Sequence, residues 1–371
     1  MAASATASVA PRAFRVSAGR CFVGPVFDYL LIGGALSLPL VGLVVAASRS
    51  EALAPVMRQV ELLTSPALLP YVILLVSGTH FAASTVRLYT KPGASASLPL
   101  LTVAFPLVAL AVLTFCIARP ESLGRQLQAL YLTWSPYHYA AQAYGLAVMY
   151  SYRSGCLLPA REKRWLHWIA LLPFFYAFVA TLGAGLHWLM PSAVYEIPAF
   201  EAALGMLRPA LVALGLAGPV VLYLKLQRGA GEAMPLICPL LLIANGLWWF
   251  VLPPLQAFVW ATFFHGIQYL AIAVIFHVKD QTRRSGNRRG PLFHALAFYG
   301  MCLVLAYLLF NCLPWAYVWA GFSLTESLLL VVAAINLHHF IVDGFIWKLG
   351  RQDSNRAIVD SGAPARAPAI S

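Results

Sequence analysis

Residues 256–278 read QAFVWATFFHGIQYLAIAVIFHV, a run that contains no Asp, Glu, Lys or Arg. About twenty apolar residues at ~1.5 Å of rise each make a helix that crosses the hydrocarbon core of a bilayer. The stretch therefore predicts the fold class: an all-α, polytopic integral membrane helical bundle. It also holds two ionisable side chains, His265 and His277, at a depth where such groups are costly.

The same criterion applied outward predicts about ten transmembrane helices, over 27–48, 67–88, 98–118, 127–150, 166–188, 206–224, 236–252, 256–278, 292–312 and 321–346. The composition agrees, with 61% hydrophobic and only 10% charged residues in 371. The formal charge of +12 is distributed as topology rather than as a nucleic-acid patch. Arg12, Arg15 and Arg20 precede the first span, and Arg87 and Lys91 follow the second. Arg153 to Arg164 follow the fourth, Lys225 and Arg228 the sixth, Lys279 to Arg289 the eighth, and Lys348 and Arg351 the tenth. The intervening loops hold Glu51, Glu61, Glu121, Glu196 and Glu201. With ten spans, this alternation predicts both termini in the cytoplasm of a bacterial cell, with the chain in its cytoplasmic membrane. Arg87 is expected to snorkel to that face.

The organisation expected is an N-terminal cytoplasmic tail over 1–26, a transmembrane domain over 27–348 and a disordered C-terminal cytoplasmic tail over 349–371. Cys21, Cys116, Cys156, Cys238, Cys302 and Cys312 show no C-x-x-C spacing, so neither a disulfide framework nor a thiolate metal site is indicated.

Histidine recurs in four even-numbered spans, which run in the same direction: THFAASTVRLY with His80, WSPYHYAAQAYG with His138, the quoted run with His265 and His277, and NLHHFIVDGFIWK with His338 and His339. One turn along from these, on the same helix face, stand Ser84, Gln142, Tyr269 and Asp343, with Gln268 and Asn336 also within a turn. Imidazole with one carboxylate is a donor set for a first-row transition ion, and neighbouring oxygens are the partners that fix a ligand imidazole's tautomer. The candidate metal ligands are therefore His80, His138, His265, His338, His339 and Asp343. Ser84, Gln142, Gln268, Tyr269 and Asn336 are the supporting shell. His338 points about 100° from His339 on an ideal helix, so one of the two is expected at the centre, and His339 shares a face with Asn336 and Asp343.

The reading that follows is an iron-dependent oxidoreductase acting on a lipid or isoprenoid, with His339 and Asp343 central to catalysis. Membrane lipids, a hydrophobic small-molecule substrate and a redox partner accompany it, and no nucleic acid. Two other classes compete. A transporter or permease would use the same side chains for protons or a cation. A membrane acyltransferase would use HHFIVDG, residues 338–344, which matches the HHxxxDG pattern of condensation and wax-ester-type acyltransferases, with His339 as the base.

Depth counts against a single centre. His80 lies seven residues from Arg87 and His339 nine from Lys348, whereas His138 is fifteen from Arg153 and His265 fourteen from Lys279. That spreads the candidates over roughly 12 Å along the membrane normal unless a kink, as at Pro136, absorbs it.

WSPYHYAAQAYG and NLHHFIVDGFIWK resemble motifs in a loosely defined set of bacterial multispan proteins. THFAAS, residues 79–84, and HHFIVDGFI, residues 338–346, also resemble segments of the membrane carotene-cleaving dioxygenases of the Brp/Blh type. That resemblance implies iron held by histidines on several helices: His80, one of His338 and His339, and His265 where the family has a more closely spaced pair. The family's early PHG-type segment has no equivalent here, and His138 has no counterpart in it.

Overall fold

The computed structural model describes residues 16–47, 49–50, 55, 65, 67–91, 98–228, 232–347 and 353–360. Among these every regular element is a helix, and the one extended pairing is a single bridge between Ser17 and Pro235. The long apolar runs dictate this. Backbone N–H and C=O groups in lipid find no water, and a helix pairs them internally.

In chain order the helices are α1 (Pro25–Ile32), α2 (Ser37–Ala47), α3 (Leu69–Thr90), α4 (Leu100–Ala118), α5 (Arg125–Arg153) and α6 (Ala160–Ala180). They continue as α7 (Pro198–Gln227), α8 (Ile237–Val251), α9 (Pro254–Thr282), α10 (Pro291–Trp319), α11 (Leu324–Ile346) and α12 (Asp353–Asp360). Proline opens α7, α9 and α10, where a first-turn N–H has no intrahelical partner to lose. Gly34, at φ +79°, makes the 48° break between α1 and α2.

Each of the ten apolar stretches contains helix, but among the described residues six helices are long and apolar enough to cross a membrane: α3, α4, α7, α9, α10 and α11. The bent pair α1–α2 makes a seventh if counted as one span. The others fall short for local reasons. α8 has 15 residues, α6 begins with Arg161, Glu162, Lys163 and Arg164, and α5 carries Ser135, His138, Gln142 and Ser151 among its buried or half-buried residues. The stretch expected to span 166–188 stops at Ala180, where Gly183 and Gly185 take positive φ and turn the chain.

The four histidine-bearing helices form the centre. α3 packs on α9 and α11, α11 packs on α5, and α5 meets α9 through a 2.7 Å hydrogen bond between the Tyr139 and Thr262 hydroxyls. α8 fills the space between α5, α6, α7 and α9. α4 lies outside against α11, and its Leu100, Val103, Leu107, Val108 and Phe115 are all more than half exposed. An apolar surface of that extent on a helix this long is what lipid covers.

The described parts of both tails pack onto the bundle. Phe22 is buried, and the Asp28 carboxylate accepts from the backbone N–H groups of Phe22, Val23 and Gly24 and from the Tyr150 hydroxyl, which ties the N-terminal segment to α5. Within the predicted disordered stretch 349–371, Asp353–Asp360 is helical, with Asn355, Ile358 and Val359 buried. That segment lacks the length of a span but offers one apolar face and one buried amide. Arg12, Arg15, Glu51, Glu61, Lys348 and Arg351 lie outside the described residues.

Candidate metal centre

Four imidazoles, one from each central helix, close into a ring. The centroids of His80 and His265 are 5.2 Å apart, His265 and His138 5.0 Å, His138 and His339 4.9 Å, and His339 and His80 5.1 Å. The four near-equal edges close the circuit of rings. His80, His265 and His339 can each offer a ligand atom within 4.8 Å of the others, and so can His138, His339 and Asp343.

The expected axial spread of about 12 Å does not occur, because the basic residues from which depth is counted do not all reach a surface: Arg87 and Arg153 are both buried. Arg87 does not snorkel. Its side chain is 1% exposed and paired with Asp280 at 3.1 Å, so it marks no membrane surface, and counting from it places His80 too near one face.

Local structure aims each ring inward. A π-helical turn at Ile73–Gly78 directly precedes His80 and shifts the phase of the helix that carries it. Gly266 lets α9 approach α3 closely: a Cβ there would sit 2.9 Å from His80 Nδ1. His138 stacks on Phe340 at 4.3 Å and His265 on Tyr139 at 4.4 Å. All four rings are buried, and the Nε2 atoms of His80, His138, His265 and His339 have no hydrogen-bond partner in the protein. Buried nitrogens without hydrogen-bond partners are costly, and these belong to two ligand groups that share His339, which makes them a donor set for an acceptor of lone pairs.

The supporting oxygens work across helices rather than one turn along their own. Ser84 contacts Nδ1 of His339, not His80, at 3.0 Å. The Ser84 hydroxyl also reaches the Phe81 carbonyl at 3.1 Å. A carbonyl only accepts, so the arrangement that satisfies both contacts has Ser84 donating to Phe81 and accepting Nδ1–H of His339. That leaves the Nε2 lone pair of His339 facing the ring's centre. Tyr269 donates its hydroxyl to Asp343 Oδ1 at 2.6 Å and accepts from Trp347 Nε1 at 3.2 Å. Asp343 Oδ2 is thereby turned to His339 Nε2 at 3.5 Å and His138 Nε2 at 3.7 Å. Two donors ~2.1 Å from one ion and a tetrahedral angle apart are separated by about 3.4 Å, so these distances suit shared ligation.

Other candidates stand apart. His338 stacks on Phe105 at 4.9 Å in a groove beside Thr85 and Tyr89 and does not join the ring. His277 lies against Thr90 and Phe298. Gln142 donates to the His265 carbonyl at 3.4 Å, Asn336 donates to the Val332 carbonyl, and Gln268 lies against Gly34. Gly266, Tyr139 and the Arg87–Asp280 pair were not anticipated as parts of the site. Only Gly266 had a sequence signal, as a glycine beside an intramembrane histidine. All six cysteines are free, and none belongs to either ligand group.

A cavity of about 460 Å³ opens beside the centre, lined by His138, Asp343, Gln142 and Tyr269 and by apolar groups including Trp134, Met149, Phe340 and Trp347. No protein-family model, no curated protein and no solved structure matches this chain.

Proposed function

We propose that the chain is a membrane-embedded metalloenzyme that holds one first-row transition ion, with iron the first to test, through His80, His138, His265, His339 and Asp343, and acts as an oxidoreductase on a lipid-soluble substrate. The observation that carries this reading is that four buried histidines with unpartnered Nε2 atoms form two ligand groups, His80–His265–His339 and His138–His339–Asp343, joined at His339. One centre is favoured over two because His339 belongs to both ligand groups while its Nδ1 is engaged by Ser84, so it has one nitrogen to give. Imidazole and carboxylate without thiolate suit iron, manganese, copper or zinc. The resemblance to membrane carotene-cleaving dioxygenases supports iron, since the positions it marks are His80, His265 and one of His338 and His339, and His80, His265 and His339 fall in the ring.

When bound, the ion would supply Lewis-acid or redox chemistry. The protein's part is to exclude water, fix the His339 tautomer through Ser84, and hold Asp343 with Tyr269 and Trp347. The apolar cavity would admit a substrate already dissolved in the bilayer, and a redox partner would approach from outside. We further infer ten membrane crossings with both termini in the cytoplasm of a bacterial cell, supported by the helix in each apolar stretch and the basic residues of alternate loops.

Elemental mass spectrometry on detergent-purified protein tests the reading, comparing wild type with His138→Ala and His339→Ala variants shown to be folded. Near-stoichiometric iron or another transition metal, lost from both variants, is expected. Absence of metal from wild type after reconstitution overturns it.

A further inference from the structure

The cavity is long, and the metal ligands lie near one end of it. On α5 it is lined from Trp134 to Met149, a rise of about 22 Å. His138 is one turn from Trp134, and Met149 lies a further ~16 Å along the helix. That longer arm is close to the ~15 Å depth of hydrocarbon in one leaflet, half of a core about 30 Å thick. Phe340 stacks on His138 and lies 6.2 Å from Trp134, so these two rings line the short end.

Two further features bear on the occupant. Tyr137 and Phe345, which line the cavity, are 39% and 40% exposed on the outside of the bundle, so its mouth lies sideways between α5 and α11, toward lipid. Among the described residues no Lys or Arg lines the cavity, so none of its lining would recognise an anionic head. The cations gather beyond its long end. The Arg87 guanidinium lies 4.9 Å from the Trp347 ring, with Lys91 bound to the same Asn355 oxygen that Arg87 uses, and Arg153 ends α5 one turn after Met149. Charge thus differs between the two ends of the cavity: a single carboxylate, Asp343, stands beside the histidines, and cations gather past Met149 and Trp347.

We propose that this cavity binds a single hydrocarbon chain of an amphipathic lipid, with the chain's methyl end at the imidazole ring and its head toward the basic end. The proposal deepens the reading given above and rests on it only for what the metal does; the binding and its direction stand on the cavity. The carbons nearest the centre would be the distal ones, and Trp134 would act as the stop that sets how far the chain enters.

Tryptophan at each end makes the direction measurable without metal. Bromine quenches indole fluorescence on close approach. Hexadecanoic acid brominated at its terminal carbon, and the same acid brominated beside its carboxylate, are titrated into the full chain held in amphipol. Saturable quenching is expected from both, with the terminal-bromine component largely lost in Trp134→Phe and the other largely lost in Trp347→Phe. The reverse pattern, equal loss in both variants, or no saturable component overturns the proposal. Metal content of the same preparations separates the two readings: metal with no quenching gradient sinks this one alone, and a gradient without metal sinks the metalloenzyme alone.

Discussion

Ser84 on α3 and His339 on α11 meet at 3.0 Å, and that contact decides which nitrogen of His339 faces the other three histidines. The serine belongs to the helix of His80, yet it serves the ring on the neighbouring helix. In a tightly packed bundle, a side chain one turn from an inward residue also points inward, where the nearest group often belongs to another helix.

Ser84→Ala removes the acceptor of Nδ1–H while leaving every proposed ligand in place. The expected outcome is a fall in metal affinity of about 10–100-fold, the range for losing such an outer partner. Competition with a chelator of known affinity checks it, with unchanged helix content as the control. Affinity equal to wild type would show that the Phe340 and Phe81 rings alone hold His339.

Gly266→Ala should be far more damaging than its size suggests. The added Cβ would lie 2.9 Å from His80 Nδ1 and 3.3 Å from Val76 Cγ1, so His80 must turn or α9 must shift. Gly145→Ala is the paired control, because nothing lies within 4 Å of a Cβ there. Loss of bound metal in the first variant and retention in the second is the expected result by elemental analysis.

Asp280→Asn isolates a different element. Arg87 is buried, bonded to Asp280 and Asn355, and packed on Trp347 and Phe276. Removing its one close carboxylate leaves an uncompensated charge in the bundle, which costs about 3–5 kcal/mol where it has been measured. A lowered thermal midpoint in detergent is expected, with partial recovery in Arg87→Met/Asp280→Leu. If the double variant melts no higher than the single one, the pair has a role beyond charge compensation.

The sequence made the helical class readable because an uncharged run such as 256–278 has one physical solution in lipid. It marked His80, His138, His265, His339 and Asp343 because ionisable groups at that depth stand out from their surroundings. Their convergence was not legible. Counting depth from basic residues assumes that each reaches the surface, and neither Arg87, paired with Asp280, 193 residues away, nor the buried Arg153 does. Asp343 does meet His339 one turn away, whereas Ser84, Gln142 and Tyr269 serve neighbouring helices, for a related reason. Spacing says which residues share a face, as Ser84 and His80 do, but not what faces them. The helix at Asp353–Asp360 was missed because eight polar-rich residues carry no span signal, and its order comes from contacts such as Asn355 to Arg87, Lys91 and the Ile346 carbonyl.

Lys91, just past the end of α3, gives the chain a pH dependence of definite sign. Burial, and then the Arg87 guanidinium, push its ammonium down from 10.5 to about 8, with Asp280 opposing. The unfolded chain therefore holds this proton up to a higher pH than the folded one. Between pH 8 and 10.5 the unfolded state binds more protons, so this residue's contribution to stability rises with pH across that window. Below pH 8 both states are protonated and the penalty of the buried charge is constant. Lys91→Met removes the group while keeping an apolar stem of similar length. The thermal midpoint of wild type relative to the variant should be flat below pH 8 and climb above it. A difference that stays flat to pH 10 would mean that the ammonium is solvated and that Asn355 does not hold it in the bundle.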